Sequence, residues 1–229
     1  MDKMVVEQVS YSYISKYQTI LALREVNCSF ESGRFYAITG ESGSGKSTLL
    51  SLLAGLDLPK EGKIYLNGED LSKMDRDIYR RDIAAVVYQA FHLFPLLNAL
   101  ENVMYPLELK GMPKARAAAR AKKCIGQVGL PEKIHGQFPK MMSGGEQQRV
   151  AIARAMAAGG KLLFADEPTG NLDTENEENV VAILERLAHE EGYMVVVVTH
   201  NPGIAARADV EYRMRDGQIV EEQKRGGGQ

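Results

Sequence analysis

Four short apolar segments stand out along the chain because no charged residue interrupts them. They are residues 35–38, 83–87, 162–165 and 194–198. Unbroken apolar segments of this length are typical of strands that are buried on both faces of a parallel sheet. Segments with a helical pattern alternate with them, at residues 47–54, 114–128, 146–158 and 176–190. This alternation predicts an α/β fold built on a parallel sheet.

The N-terminal part of the chain has a different pattern. Residues 5–13 and 20–30 are two strand-like segments around a polar turn, which is typical of an antiparallel pair. Residues 63–66 form a further strand-like segment before Asn67-Gly68, a dipeptide that favours a hairpin turn. We therefore expect an antiparallel β subdomain next to the parallel sheet.

The region between the second and third apolar segments has no strand signal. Residues 91–159 are helix-like, so we expect a helical subdomain inserted into the sheet domain. A chain of this length fits one domain, which we expect to cover residues 1–229. Besides the helical subdomain, we expect this domain to consist of a core from residues 1–90 and 160–222 and a flexible tail at residues 223–229.

Composition and charge narrow the classes of function. The 28 Lys and Arg residues nearly balance the 30 Asp and Glu residues, so no global basic field indicates nucleic acid as a partner. Cys28 and Cys124 lack the spacing of a metal site, and we expect reduced thiols in a cytoplasmic protein. No segment has the length and apolar character of a signal peptide or a membrane span. If the protein acts at a membrane, we expect another chain to span it.

Residues 40–48 have the pattern of a phosphate-binding loop between a strand and a helix. Glycines let backbone N–H groups approach a phosphate chain, and the helix N-terminus adds unpaired donors. Lys46 supplies a positive charge for the β- and γ-phosphates, and the Ser47 hydroxyl is placed to bind Mg²⁺. A glycine turn between two core elements is the alternative interpretation. The predicted nucleotide contacts are Gly40, Glu41, Ser42, Gly43, Ser44, Gly45, Lys46, Ser47 and Thr48.

Polar residues also follow each of the other three apolar segments. Gln89 follows the second segment, Asp166-Glu167 the third and Thr199-His200 the fourth. Ligands bind at the carboxyl ends of the strands in open parallel sheets, so these side chains should converge with the glycine loop. Asp166 can hold Mg²⁺, largely through the water shell of the ion. Glu167 can polarise the water that attacks the γ-phosphate.

Residues 143–149, Ser-Gly-Gly-Glu-Gln-Gln-Arg, form a second informative segment. Its simplest interpretation is a capping box, with Ser143 at the N-cap of a helix and Glu146 three residues later. That interpretation leaves Gly144 and Gly145 unexplained, since glycine weakens the first turn of a helix. Exposed backbone and a hydroxyl at a helix N-terminus also make an anion site. Such a chain can complete its own phosphate site with the helix end of a partner.

Taken together, these motifs resemble those of ATP-binding cassette (ABC) ATPase subunits, over residues 4–222. The resemblance implies a P-loop NTPase (RecA-like) core, ATP hydrolysis with Mg²⁺, and a head-to-tail homodimer formed through ATP. The catalytic residues implied are Lys46, Glu167 and His200. The Mg²⁺ ligands implied are Ser47, Gln89 and Asp166.

Further nucleotide contacts follow from the same resemblance. Tyr13 resembles the aromatic residue that stacks on adenine, with Tyr11 and a plain strand tyrosine as the alternatives. Asn171-Leu172-Asp173 resembles the loop at the dimer seam. The segment 143–147 resembles the family signature that binds the γ-phosphate held by the opposite subunit. The contacts implied beyond the glycine loop are Tyr13, Gln89, Ser143, Gly144, Gly145, Glu146 and Asp173.

Residues 88–103 and 165–173 are similar to one branch of the family. That branch contains the ATPases of lipoprotein-release, macrolide-export, antimicrobial-peptide-resistance and cell-division systems. The resemblance implies a separate permease that transmits force and docks near Gln89–Tyr105, at the cytoplasmic face of a bacterial membrane. A soluble ABC ATPase that acts on nucleic acid or ribosomes is the alternative. A kinase or GTPase would leave Ser143-Gly144 and His200 unexplained.

Overall fold

The computed structural model describes residues 2–225, and its strands form two sheets. The smaller sheet has the order β2-β1-β4-β5, and all its pairs are antiparallel. Its strands are β1 (Lys3–Ile14), β2 (Thr19–Glu31), β4 (Glu61–Leu66) and β5 (Glu69–Asp70). The antiparallel pair and the hairpin expected near the N-terminus are therefore confirmed.

The larger sheet has the order β10-β9-β3-β8-β7-β6. Its strands are β3 (Arg34–Gly40), β6 (Ala84–Tyr88), β7 (Leu162–Asp166), β8 (Met194–Val198), β9 (Val210–Arg215) and β10 (Gln218–Lys224). All neighbours are parallel except β10, which runs antiparallel to β9. The four apolar segments are four adjacent strands of this sheet, which confirms the predicted α/β class.

Helices follow or connect these strands. They are α1 (Lys46–Leu53), α2 (Arg76–Ile78), α3 (Ala99–Leu109), α4 (Lys114–Gln127), α5 (Gly144–Ala158), α6 (Thr174–His189) and α7 (Pro202–Arg207). Between β6 and β7 the chain forms only helices and turns, with α3, α4 and α5 in mutual contact. The predicted helical segments are confirmed, while the division into subdomains stays a prediction. No helix in residues 2–225 is long and apolar enough to cross a membrane.

Each face of the parallel sheet belongs to a separate hydrophobic core. On β3, Phe35 and Ala37 pack with the helical layer that includes α3, α5 and α6. Tyr36 and Ile38 point the other way, into a core shared with α1 and the antiparallel sheet. Side chains of a strand alternate between its two faces, so both faces must be apolar. This two-sided burial explains the unbroken apolar segments in the sequence.

The C-terminal part of the fold differs from the prediction. Strands β9 and β10 were not anticipated, because charged residues interrupt their apolar positions. One of these, Glu211, is buried and accepts hydrogen bonds from Thr39 Oγ1 (2.7 Å) and Arg225 Nη2 (3.1 Å). The prediction of a flexible tail from residue 223 was wrong, since β10 continues to Lys224 and the Arg225 N–H donates to Asp209 O (2.8 Å). The rest of that predicted tail, residues 226–229, lies outside the described residues.

Candidate nucleotide-binding and hydrolytic site

Strand register brings the four polar loops to one edge of the parallel sheet. Tyr88 pairs with Asp166, and Asp166 pairs with Val198. Val198 in turn pairs with Ile38 of β3. The loops after β3, β6, β7 and β8 therefore leave the sheet at nearly the same level. This arrangement confirms the predicted convergence at the carboxyl ends of the strands.

Glycines shape the loop between β3 and α1 because neighbouring backbone lies very close. A Cβ atom at Gly40 would lie 2.2 Å from Met214 O, and one at Gly45 would lie 2.5 Å from Ala22 O. Both glycines have positive φ, at +143° and +101°. Only glycine combines these backbone angles with such close approach. The loop is therefore held between β9 and β2 as well as between its own flanking elements.

Lys46 is buried within this loop. Its Nζ donates to Gly40 O (2.9 Å) and to Glu41 O (2.7 Å), so the loop folds around its own lysine. The hydroxyl of Ser44 is buried and has no hydrogen-bond partner among the described atoms. A buried hydroxyl without a partner is uncommon in folded proteins. A bound anion at this position would supply the missing acceptor, which fits a phosphate group.

A cavity of ≈550 Å³ opens above the loop. Its walls come from both sheets, since residues 20–22 of β2 face the glycine loop across it. The predicted catalytic, metal-binding and nucleotide-binding residues that line it are Tyr13, Gly40, Ser42, Gly43, Gly45, Lys46, Ser47, Thr48, Gln89, Glu167 and His200. Glu41 and Ser44 belong to the same loop without lining this cavity. The structure thus brings most of the predicted site into one space.

Asp166 and Ser47 meet at the floor of the site. Ser47 Oγ donates to Asp166 Oδ1 at 3.1 Å. Burial raises the pKa of Asp166, and the hydrogen bond from Ser47 partly offsets this effect. A partly buried carboxylate beside a hydroxyl is a pair of hard oxygen donors, which fits Mg²⁺ with the remaining ligands from water and phosphate.

Glu167 has a backbone conformation that its sequence context does not predict. Its φ is +47°, in the left-handed region that is unfavourable for residues other than glycine. Its N–H donates to Val198 O (2.9 Å) and its carbonyl accepts from Gly170 N (3.1 Å). The turn directs the side chain toward His200, whose Nδ1 lies 2.9 Å from Glu167 Oε1. Strained backbone of this kind is common at functional sites.

Gln89 is paired with the loop that follows Glu167. Its Nε2 donates to Asn171 Oδ1 (3.2 Å), and Asn171 Nδ2 donates back to Gln89 O (3.2 Å). The side chain of Gln89 therefore lines the cavity but hydrogen-bonds Asn171 rather than Ser47 or Asp166. Its role as a Mg²⁺ ligand stays a prediction.

The two candidate adenine-binding tyrosines have different surroundings. Tyr13 is 50% exposed, and its hydroxyl lies 3.1 Å from Thr48 Oγ1 at the edge of the cavity. Tyr11 is buried, and its hydroxyl donates to Asp57. Their rings meet edge to face, with centroids 5.1 Å apart. Tyr13 is thus the tyrosine with a free ring face, although stacking itself stays a prediction.

The predicted signature residues lie outside this cavity. Ser143 caps α5, since its Oγ accepts from Glu146 N (3.2 Å) and Glu146 Oε2 accepts from Ser143 N (2.8 Å). Gly145 also has a packing role that the sequence did not reveal, because a Cβ there would lie 2.0 Å from Asn176 Oδ1. A Cβ at Gly144 would make only an ordinary contact with Leu172, at 3.4 Å. The predicted site therefore falls into two groups within one chain.

Asp173 belongs with the signature group rather than with the cavity. It caps α6, and its Oδ1 accepts from Asn176 N at 2.9 Å. Hydrogen bonds from the backbone and side chain of Asn176 lower the pKa of Asp173.

Sequence reasoning missed Gln148, which links several of these loops. Gln148 is fully buried in α5 and donates to Pro168 O at 2.6 Å. The signal available in the sequence was the spacing of this glutamine. Gln148 lies three residues before Ala151, so it falls among the buried positions of α5.

Comparison with known proteins agrees with this geometry. The family described as ABC transporter matches residues 23–170, more than half of the chain. The ABC transporter ATP-binding protein MJ1508 of Methanocaldococcus jannaschii is 45% identical over 204 residues, which cover 88% of this chain and 90% of that protein. The macrolide export ATP-binding/permease protein MacB of Neisseria gonorrhoeae is 44% identical over 201 residues. That alignment covers 86% of this chain but only 31% of MacB.

A solved structure shows the same fold. The ATP-binding cassette MJ0796, also from M. jannaschii, has a dimeric structure of a post-hydrolysis state bound to ADP and Pi. It matches with a TM-score of 0.89 and 38% identity, and covers 98% of this chain and 100% of that chain. The resemblance and the P-loop NTPase fold expected from the sequence are confirmed. This chain belongs to the ABC transporter family, as an ATP-binding subunit that hydrolyses ATP.

Proposed function

We propose that this protein works as a head-to-tail homodimer that closes on ATP and thereby moves a separate membrane permease. The observation that carries this proposal is the separation of two anion-binding groups within one chain. The glycine loop lines the cavity, whereas Ser143 at the start of α5 does not. A second copy would bring its Ser143 to the open side of the cavity. The dimeric structures of the related cassette MJ0796 support this arrangement.

The residues in the cavity have distinct roles in this proposal. Lys46 would exchange its two loop carbonyls for the β- and γ-phosphates. Ser47 and Asp166 would hold Mg²⁺, with Gln89 as a third ligand, and the ion would neutralise phosphate charge. Glu167 would act as general base toward the attacking water, an effect typically worth about 10²–10⁴ in rate. His200 would fix the orientation of Glu167 through the 2.9 Å contact.

The proposed permease surface is a groove between α3 and the segment that precedes β6. Phe94 and Tyr105 pack on each other there, with ring centroids 4.6 Å apart. A cavity of ≈440 Å³ lies beside them and extends to Leu109 and Arg80. Exposed apolar surface with a charged rim is typical of a protein interface. The docking surface would thus extend beyond the predicted Gln89–Tyr105 segment.

The relatives support the proposal that ATP hydrolysis by this chain drives export. Several relatives, including MacB, are named as export proteins that join an ATP-binding part and a permease. In this chain we propose that the permease is a separate polypeptide, with the cassette on the cytoplasmic face of the membrane. No observation favours the alternative of a soluble ABC ATPase on nucleic acid or ribosomes.

The homodimer is tested by size-exclusion chromatography with ATP and Mg²⁺. Glu167→Gln keeps shape but removes the base, so this variant should accumulate as an ATP-bound dimer. Adding Ser143→Arg should return it to a monomer that still binds a fluorescent ATP analogue, because the helix end is blocked by bulk. Lys46→Ala should instead weaken binding itself, since it removes the cation that faces the phosphates. If Ser143→Arg abolished binding as completely as Lys46→Ala, the signature would not act across an interface.

A further inference from the structure

We infer that Gln148 is a positioning residue that sets the two loops that carry Glu167 and Gln89 from a single point on α5. Its Nε2 donates to Pro168 O at 2.6 Å and lies 3.4 Å from Tyr88 O. Pro168 directly follows Glu167, and Tyr88 directly precedes Gln89. One buried amide group therefore contacts the backbone beside each of these two side chains.

The environment of Gln148 is not that of a residue kept for packing alone. Its side chain is fully buried, yet its Oε1 has no hydrogen-bond partner among the described atoms. A buried acceptor without a partner lowers stability, and an apolar side chain of similar length would avoid this cost. The two donated hydrogen bonds are what the amide adds over such an apolar side chain.

The position of Pro168 bears directly on the turn that carries Glu167. On one side, the Glu167 N–H is fixed to Val198 O of β8. On the other side, the chain is held by Gln148 through the carbonyl of Pro168. Glu167 has positive φ, so its turn needs such restraint on both sides. Losing one side lets the carboxylate shift relative to the site of water attack.

The same contact reaches the loop that carries Gln89. A Cβ atom at Gly170 would lie 2.6 Å from Gln89 Nε2, so these two loops are already in close contact. Gln148 packs beneath both of them. Since Ser143 caps the same helix, a movement of α5 is passed to both loops. If the proposed homodimer holds, a phosphate bound by the partner thereby affects this chain's own Glu167.

The test compares Gln148→Met with the wild-type chain in steady-state ATP hydrolysis. Met has a similar length but cannot donate, so the loops lose their common restraint. We expect kcat to fall about tenfold, because a displacement of about 1 Å in a reacting group can slow catalysis by as much as about 100-fold. KM for ATP and the dissociation constant of a fluorescent ATP analogue should stay within about twofold, because the glycine loop, which supplies most of the predicted ATP contacts, makes no hydrogen bond with Gln148. A merely structural role would not separate kcat from KM in this way.

Val150→Ala is the matched control. Val150 lies two positions further along α5, is fully buried in the hydrophobic core, and makes no hydrogen bond to either loop through its side chain. It should lower the thermal unfolding temperature more than Gln148→Met does, with kcat near wild type. An equal loss of kcat in both variants would mean that helix stability, and not the amide, controls the loops.

Gln148→Asn covers the case in which Gln148→Met does not fold. It keeps an amide in the core but is one methylene shorter, so it cannot reach Pro168 O in the same way. A wild-type kcat in either folded variant would overturn the proposal. The homodimer is tested separately by chromatography of Glu167→Gln, so a failure of either proposal can be told from a failure of the other.

Discussion

At the scale of single residues, the two tyrosines of β1 show how surroundings separate similar side chains. Tyr11 and Tyr13 are two positions apart, and either could have been the base-stacking residue on sequence grounds. The Tyr11 hydroxyl donates a hydrogen bond to Asp57, and the Tyr11 ring packs edge to face with the Tyr13 ring. Tyr13 keeps an exposed ring beside the glycine loop. We therefore assign the predicted stacking role to Tyr13 and a supporting role to Tyr11.

Substitution of each tyrosine tests this assignment. Tyr13→Ala should raise KM for ATP about tenfold with little change in kcat, because base–aromatic stacking contributes roughly 1–3 kcal/mol. Tyr11→Phe removes only the hydroxyl bond to Asp57 and should change KM by less than about twofold. Steady-state kinetics at saturating Mg²⁺ measure both. A rise in KM for Tyr11→Phe equal to that for Tyr13→Ala would contradict the assignment.

The sequence predicts which residues meet at the site better than it predicts their conformation. Lys46, Asp166 and Glu167 could be predicted because loop pattern and strand position restrict their roles. The positive φ of Glu167 could not, since it depends on a hydrogen bond to Val198 in another strand. Gln148 was missed for a similar reason, because its partners are carbonyl groups distant in sequence.

At the scale of elements, Asp82 joins the segment before β6 to the end of α3. Its carboxylate pairs with Lys110 Nζ at 2.7 Å and with Arg81 at 2.7 Å. Hydrogen bonds from Arg81 and Lys110 lower the pKa of Asp82 from 3.8 to about 2. Lys110 also donates to the carbonyl of Ala158, so the same lysine reaches the end of α5. This junction lies next to the groove proposed for the permease.

The lowered pKa of Asp82 gives a stability prediction with a definite sign. The ionised form is favoured in the folded state, so its stabilisation is present above about pH 4 and is lost as pH falls through about 2. Asp82→Asn should thus be less stable than wild type at pH 7, with a difference that shrinks toward pH 2. Urea unfolding at several pH values measures this, and Lys110→Met should show part of the same loss. A difference that stays constant down to pH 2 would indicate lost packing instead of lost charge.

Elements buried on both faces were easier to predict than elements at the edge of the sheet. β3 and β8 have continuous apolar segments because each face packs on a separate core. β10 is mostly exposed and carries three charged residues in its second half, so its pairing with β9 leaves little pattern in the sequence. How well a strand could be predicted therefore depends on how much of it contacts solvent and not on its length.

At the scale of the whole molecule, the two edges of the parallel sheet allow a controlled test of permease docking. The groove with Leu109 lies toward β6, whereas Val220 lies on β10 at the opposite edge. Both side chains are exposed, by 66% and 46%. The groove arginines Arg80 and Arg154 already donate to backbone carbonyl groups. They are therefore engaged within the chain.

Leu109→Glu should disrupt the complex with the permease, because docking would bury a carboxylate without a partner at a cost of several kcal/mol. ATP hydrolysis by the chain alone should remain, since the catalytic loops lie at the strand ends. Val220→Glu introduces the same charge far from the groove and should leave the complex intact. Co-purification of the permease with each variant is the measurement. Wild-type recovery with Leu109→Glu would place the docking surface elsewhere.

The two separate cores of the parallel sheet also bear on the accuracy of folding. A slip of β3 by one residue would exchange Phe35 and Ala37 with Tyr36 and Ile38, so that both cores would receive side chains of the wrong size. Such a misaligned chain would be unstable before it met any nucleotide. The level at which the glycine loop, Asp166 and His200 meet is thus selected during folding by side chains that never contact ATP.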